Sequence, residues 1–296
     1  MAAGSPRELA LRACADEYES AEIYGALSRA PLLGPRIRMA LERAAEDERR
    51  HYEFWRGIVG ECRPGPAALK AALYGLALYL FGATFVLKLL ESKEVDAIGA
   101  YSAIADLDPS LADLARKIEE DERRHEAEFL SSIDEGRVKY IGFITLGISD
   151  ALVELTGIYT GSLGAFGSSL SAGLTGLLAG VAASISMGVA AYAQARQEGR
   201  QGPLLPAFFT FAAYLAVVLL LAAPYFLLGS LLVAFVTMLA ISFAVVAYLA
   251  AYSSVLHGRK FLAEFVENVL LILGVSLLLY VLGDVLGRAL GIGRLG

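Results

Sequence analysis

The hexapeptide Glu46-Asp47-Glu48-Arg49-Arg50-His51 recurs, residue for residue, as Glu120-Asp121-Glu122-Arg123-Arg124-His125, 74 positions further along. The 296-residue chain has three histidines, and two of them close these copies. In each copy a glutamate and a histidine stand three apart, Glu48 with His51 and Glu122 with His125. On an α-helix positions i and i+3 share a face, so one carboxylate and one imidazole can reach one metal ion. A four-helix di-iron bundle needs two such ExxH helices plus one glutamate from each of two further helices.

The additional glutamates are expected upstream of each copy, on a partner helix. The stretch DEYESAEIY places Glu17 seven residues before Tyr24, and KEVDAIGAY places Glu94 seven before Tyr101. Glu17 precedes Glu48 by 31 residues and Glu94 precedes Glu122 by 28, room for one helical hairpin in each half. The first 136 residues therefore read as two copies of a hairpin, each giving Glu, Glu and His to one pseudo-symmetric site. Ser5-Pro6-Arg7-Glu8 has the form of a capping box with proline at the first helical position. Gly34-Pro35 separates the first two helices, and Asp108-Pro109 opens the fourth. A charge run is ordinarily a solvated helix face, but two identical runs with matched upstream glutamates favour a site. Glu46, Glu53, Glu120 and Glu126 fall off the ligand face and read as surface charges. Tyr24, Tyr101 and Trp55 read as core residues beside the metals.

Charge is divided unevenly. Residues 141–296 hold six acids and six bases, so the whole net charge of −6 lies in residues 1–140. An acidic first domain argues against a nucleic-acid partner and suits cations. Hydrophobic residues make up 56% of the chain and mean hydropathy is positive, too apolar for an ordinary soluble globule. No charged side chain occurs in the 41 residues between Glu154 and Arg196 or in the 58 between Arg200 and Arg259. Each run is about twice the roughly 20 residues that cross a bilayer. Five spans are predicted, at about 141–163, 173–195, 204–224, 230–252 and 263–287, in a domain of residues 137–296. Turns are expected at Gly164–Gly173 and from Pro224 to Ser230. Arg137, Lys139, Arg196, Arg200, Arg259 and Lys260 flank alternate ends of the spans, while the other loops carry no charge. The positive-inside rule puts the first domain in the cytoplasm and the C-terminus outside.

Asp150 and Glu154 lie four apart in the first span, on one helical face. An acid at the bilayer centre costs roughly 2.5–3.5 kcal/mol on insertion scales, so the pair suggests a cation or proton path. A buried polar network between helices is the alternative. Gly157/Gly161 and Gly176/Gly180 are GxxxG pairs for close packing, within the chain or across a dimer. Residues 71–87 are uncharged between Lys70 and Lys88. A span there would separate Glu17, Glu48 and His51 from Glu94, Glu122 and His125, so the segment reads as a crossover between hairpins, on the membrane surface or in a dimer contact. Cys14 and Cys62 are too few for a disulfide framework, lack zinc-finger spacing, and read as small core or surface residues. Met1–Leu9 has no apolar run, so no cleaved signal peptide is expected.

With these residues in view, residues 1–135 resemble the erythrin and rubrerythrin branch of ferritin-like proteins, through Glu17, Glu48, His51, Glu94, Tyr101, Glu122 and His125. Residues 137–290 resemble the vacuolar iron transporter family, through Gly147-Ile-Ser-Asp150-Ala-Leu-Val-Glu154 and Ser184-Ile-Ser-Met187 with Tyr192. The fusion is similar to the membrane-bound ferritins of prokaryotes. The resemblance implies an all-α chain, with a ferritin-like di-iron bundle followed by five membrane spans. It also implies a homodimer with an iron route past Asp150 and Met187. Ala191 stands where that transporter family carries a glutamate, and the loop Arg196–Pro203 is too short for the metal-binding insert of its plant and fungal members. The expected function is Fe²⁺ export across the cytoplasmic membrane, with protons as a candidate counter-ion and a bundle that captures, oxidises or senses iron. The runners-up are a membrane-anchored di-iron oxidase or peroxidase and a Mn²⁺ transporter. The donor set also accepts Mn or Zn in place of Fe.

Overall fold

The computed structural model describes residues 6–62, 65–107, 112–132, 135–165 and 168–289. Among these the chain is all-helical, with ten helices and no strand. It divides into two compact units, Met1–Glu135 and Gly136–Gly296.

The first unit contains α1 (Pro6–Leu27), α2 (Pro35–Val59), α3 (Ala67–Phe81), α4 (Ala83–Leu107) and α5 (Ala112–Ser132). Helices α1 and α2 pack as one hairpin and α4 and α5 as the other. The hairpins meet where α1 touches α4 and α2 touches α5. Pro6 is the first helical residue described, so the Ser5 side of the expected capping box lies outside the described residues, as does Asp108-Pro109. Pro35 opens α2 behind an extended Gly34, where the missing N–H costs nothing. The buried stripe of α2 runs Ala40, Leu41, Ala44, Ala45, Asp47, Glu48, His51, Trp55, at helical spacing. Half of the hexapeptide is thus turned inward, and the charge run is not a solvated face.

The 71–87 segment is not one helix. Gly82 has φ +84°, a conformation that L side chains rarely adopt, and it ends α3 after Phe81 and lets α4 start at Ala83. Helix α3, 15 residues long, packs on α1 and α4 as the crossover between hairpins and is shorter than a membrane span requires. Leu69, Leu73, Leu76 and Leu80 are each more than half exposed on it.

The second unit contains α6 (Glu135–Ala165), α7 (Ser169–Gln197), α8 (Leu204–Leu227), α9 (Leu231–His257) and α10 (Phe261–Ala289). Five stretches are long and apolar enough to cross a membrane: Tyr140–Leu163, Ser169–Gln197, Leu204–Leu227, Leu231–His257 and Phe261–Ala289. Three boundaries differ from the sequence reading by three residues or more, one being the end of α9, which runs to His257 rather than 252. Helix α7 begins four residues early because Ser168 caps it, its hydroxyl accepting from the Ser171 N–H. Helix α8 continues through Pro224 to Leu227, and the turn starts only at Leu228, whose N–H donates to the Pro224 carbonyl. Proline in the last turn forfeits one backbone bond without ending the helix at once.

Lipid tails are as apolar as leucine, so these helices associate by close packing rather than by hydrophobic burial. Helix α7 supplies a stripe of Gly173, Gly176, Gly180, Ser184, Gly188, Ala191 and Ala195, all buried. A Cβ on Gly176 would sit 2.3 Å from the Tyr159 ring of α6. On the other side of α6, Gly161 and Gly283 of α10 approach so closely that a Cβ on Gly283 would lie 2.3 Å from the Gly161 carbonyl. Both GxxxG pairs are therefore spent on contacts inside the chain. The core they permit includes Leu152, Leu155, Tyr159, Tyr214, Val218, Leu221, Tyr225 and Met238.

Candidate metal centre

Glu17 projects from α1, Glu48 and His51 from α2, Glu94 from α4, and Glu122 and His125 from α5. None of the six is more than 6% exposed. Their ligand atoms form two groups, Glu17–Glu48–His51–Glu122 and Glu48–Glu94–Glu122–His125, each within 4.8 Å. Glu48 and Glu122 belong to both groups and lie between them. The two remaining glutamates and the two histidines take one group each.

Four carboxylates in a dry interior cost far more than the fold can repay unless cations or protons join them. Five atoms that converge on the centre have no hydrogen-bond partner among the described residues: Glu17 Oε2, Glu48 Oε1, Glu122 Oε2, His51 Nδ1 and His125 Nδ1. The imidazole Nδ1 atoms instead face carboxylate oxygens at 3.4–3.7 Å. Orphaned buried acceptors aimed at a common point, with mixed carboxylate and imidazole chemistry, fit a pair of divalent ions. Burial pushes the Glu17, Glu48 and Glu94 carboxyls well above the usual range, with the neighbouring carboxylate Glu122 adding to it. Burial also acts on Glu122, but the facing Glu94, His125 and His51 outweigh it and hold that carboxyl low. Against a burial cost that favours the neutral ring, the facing carboxylates Glu122 and Glu48 push His125 up to about 11. Without metal, protons hold the carboxylates together.

The second position of the hexapeptide does something that spacing within one helix does not reveal. Asp47 faces His125 Nε2 at 3.1 Å, and Asp121 faces His51 Nε2 at 3.1 Å. Each aspartate thus orients the histidine of the other copy, leaving Nδ1 for the metal, the usual way a ligand imidazole is held. Arg124 ties the arrangement together, with Nη1 on Asp121 and Nη2 on Asp47, both at 2.6 Å; Arg50 pairs with Asp47. The tyrosines cross in the same way: Tyr24 donates to Glu94 and Tyr101 to Glu17. Aspartate at the same place in both repeats was the available signal; its target is set only by the tertiary crossing. A cavity of about 250 Å³ reaches the four glutamates, and Asp16, Lys93 and Asp96 also line it.

The two cysteines require a correction. Cys14 and Cys62 are joined in a disulfide that ties α1 to the segment after α2. Two cysteines do not make a framework, yet the α1–α2 hairpin returns the chain over 48 residues to within bonding distance.

In the second unit, Asp150 and Glu154 are half-buried one turn apart on α6, and the Tyr214 hydroxyl of α8 donates to Glu154 at 2.7 Å. Met187 packs against the apolar core, as do Ile148 and Val153. Ala191 is buried with Phe143 and Ala195, an apolar setting with no acid of its own. A polar cavity of about 580 Å³ lies among α6, α9 and α10, lined by Ser149, Ser253, His257, Glu264, Glu267 and Asn268 among others. Sequence reasoning gave the third histidine and these two glutamates no role.

Paired Glu-plus-ExxH helices closing on one buried centre define a ferritin-like domain, and this is the class of the first unit. Residues 8–133 match the family model described as Rubrerythrin, so this part of the chain is a rubrerythrin-type domain. No match to the vacuolar iron transporter family was found for the membrane-length helices. No curated protein and no solved structure matches the chain.

Proposed function

We propose that the protein is an Fe²⁺ exporter of the cytoplasmic membrane whose rubrerythrin-type domain collects iron on the cytoplasmic side. The observation that carries the iron-binding part is the convergence of six buried donors into two groups sharing Glu48 and Glu122. In this reading Glu48 and Glu122 would be shared by two irons, Glu17 and Glu94 would each serve one, and His51 and His125 would bind one iron each. Two bound irons would supply one-electron chemistry at each metal, with an external oxidant such as dioxygen or peroxide taking the electrons, which is the basis for ferroxidase activity. Asp47 and Asp121 hold the imidazoles, and the cavity mouth at Asp16 and Asp96 offers an entrance of the right sign for cations. Manganese or zinc would find acceptable donors in the same set.

Transport is supported by two half-buried acids on one face of an apolar helix, where lipid would exclude them without a polar path. Asp150 and Glu154, with the Met187 thioether, would line that path, protons exchanging for the metal. Basic residues at alternate span ends support a cytoplasmic first domain and a C-terminus outside. A homodimer is the expected assembly.

A second reading is a membrane-anchored di-iron oxidase or peroxidase. The Tyr214 hydrogen bond to Glu154 and the apolar surroundings of Ala191 favour it, because they leave the spans with a thinner set of free acids. Proteoliposomes carrying an internal iron-sensitive dye separate the two. Fe²⁺ flux in wild type that disappears in Asp150→Ala supports transport. Intact Fe²⁺ oxidation with no flux in any variant makes the five helices a tether and rejects export.

A further inference from the structure

The two ends of the metal centre are alike in coordination and unlike in what backs them. At one end Tyr24, bonded to Glu94, meets Phe129 edge to face, ring centroids 5.6 Å apart. At the other, Tyr101, bonded to Glu17, stacks nearly parallel on Trp55 at 5.9 Å. Trp55 and Phe129 hold the same place, four residues after His51 and His125. A phenyl ring resists oxidation, whereas tryptophan and tyrosine pass single electrons. The Trp55 Nε1 is buried without a partner among the described residues, although indole N–H groups usually find one. Behind Trp55, in the same buried cluster as Tyr101, lie Cys14 and Cys62. Cys14 precedes Glu17 by one helical turn, and Glu91, at the corresponding place before Glu94, has no redox chemistry.

We infer that Cys14 and Cys62 are a redox-active pair that supplies electrons to the metal centre by way of Trp55, Tyr101 and Glu17. This rests on the reading that the centre holds iron. In the step, the two thiols lose two electrons and two protons and form the S–S bond, while two Fe³⁺ become two Fe²⁺. An external thiol or dithiol then restores the pair by exchange. It attacks at Cys62, which is 8% exposed on the segment after α2, whereas Cys14 is wholly buried. The product is a centre that uses thiol reductant to re-reduce its own iron.

The test uses full-length protein in detergent, reduced, cleared of reductant without oxygen, and loaded with Fe²⁺. One equivalent of hydrogen peroxide per iron pair is added. Free thiols are then counted by the gel shift of a maleimide polymer, and iron valence by Mössbauer spectroscopy. The expected result is one disulfide formed for every two Fe²⁺ that return. Trp55→Phe, which copies the opposite end of the centre, slows that return at least tenfold with iron content unchanged. Cys14→Ser/Cys62→Ser stays ferric. Disulfide formation at the same rate in metal-free protein, or an unslowed Trp55→Phe, overturns the inference and makes the disulfide a staple of the hairpin. Failure of wild type to hold two irons before peroxide is added overturns the di-iron reading as well. The iron content measured first distinguishes that case.

Discussion

The two units solve the problem of a buried interior by opposite means. The first buries charge: five glutamates, two histidines and Asp47 lie inside helices whose outer surface is also charged. Each of the six metal-facing donors has a counterpart in the other half of the duplication, so its specificity resides in side chains that are present. The second unit is held by side chains that are absent, because the glycines of α7 and the Gly161–Gly283 contact let backbones approach. Deleting atoms should therefore damage the first unit, and adding atoms should damage the second.

The largest effect is expected where both shared ligands are lost. Glu48→Ala/Glu122→Ala should reduce bound metal from two ions per chain to none, read by elemental analysis of purified protein, while the membrane unit keeps its helicity. If two ions persist, the shared-ligand geometry is wrong. Next is Gly176→Ala. The added methyl meets the Tyr159 ring of a packed core, and overpacking of this kind costs about 1–3 kcal/mol. A lowered midpoint in denaturant titration followed by tryptophan-independent signals of the second unit would record it. Gly75 of α3, with open space around its Cα, is the contrasting position. There Gly75→Ala should be neutral or stabilising, since helical glycine costs roughly 0.5–1 kcal/mol relative to alanine.

A smaller effect should follow Asp47→Asn, which keeps the shape but weakens the hold on His125. Loss of such an outer partner typically costs about 10–100-fold in metal affinity, measurable by competition with a chelator. Asp121→Asn should match it through His51. Unequal losses would break the pseudo-symmetry, and Arg50, which pairs with Asp47 in addition to the Arg124 shared by both aspartates, is where the two sides differ.

The smallest and most gradual effect is the pH dependence of the metal-free domain. Glu17, Glu48 and Glu94 have folded pKa values raised by burial, and His51 and His125 have theirs raised by carboxylate partners. In each case the folded state binds more protons than the unfolded state above the ordinary titration range of the group. Stability therefore falls as pH rises from about the usual glutamate range into neutrality and beyond. Glu122, held low, acts oppositely and only in acid. Metal-free protein should melt at a lower temperature at pH 8 than at pH 5.5. Metal should flatten or reverse that slope, because bound cations replace the protons. A metal-free melting temperature that climbs with pH would contradict the assignment.

Much of the centre was legible because its information is local. Glu48 with His51, and Glu122 with His125, lie within one turn of one helix, and hydropathy marks five membrane-length helices without reference to any contact. The aspartates were not legible, since Asp47 has its meaning only across the pseudo-two-fold, 78 residues away in His125. Nor was the disulfide, whose partners meet through the return of a hairpin rather than through spacing. The α3–α4 break hangs on one glycine with positive φ in a run whose composition looks continuous. The polar cavity beside His257 needs three helices that sequence alone does not bring together.

The crossed aspartates have a consequence for ancestry. A lone hairpin of the first kind carries a bridging glutamate, a histidine and an aspartate, but its aspartate has no histidine of its own to hold. Two identical hairpins, placed face to face, would complete each other's outer contacts. Two such hairpins written into a single chain would carry the hexapeptide twice, as this chain does. Outside it the copies differ, as at Trp55 and Phe129, while Asp47 and Asp121, which reach across, are the same.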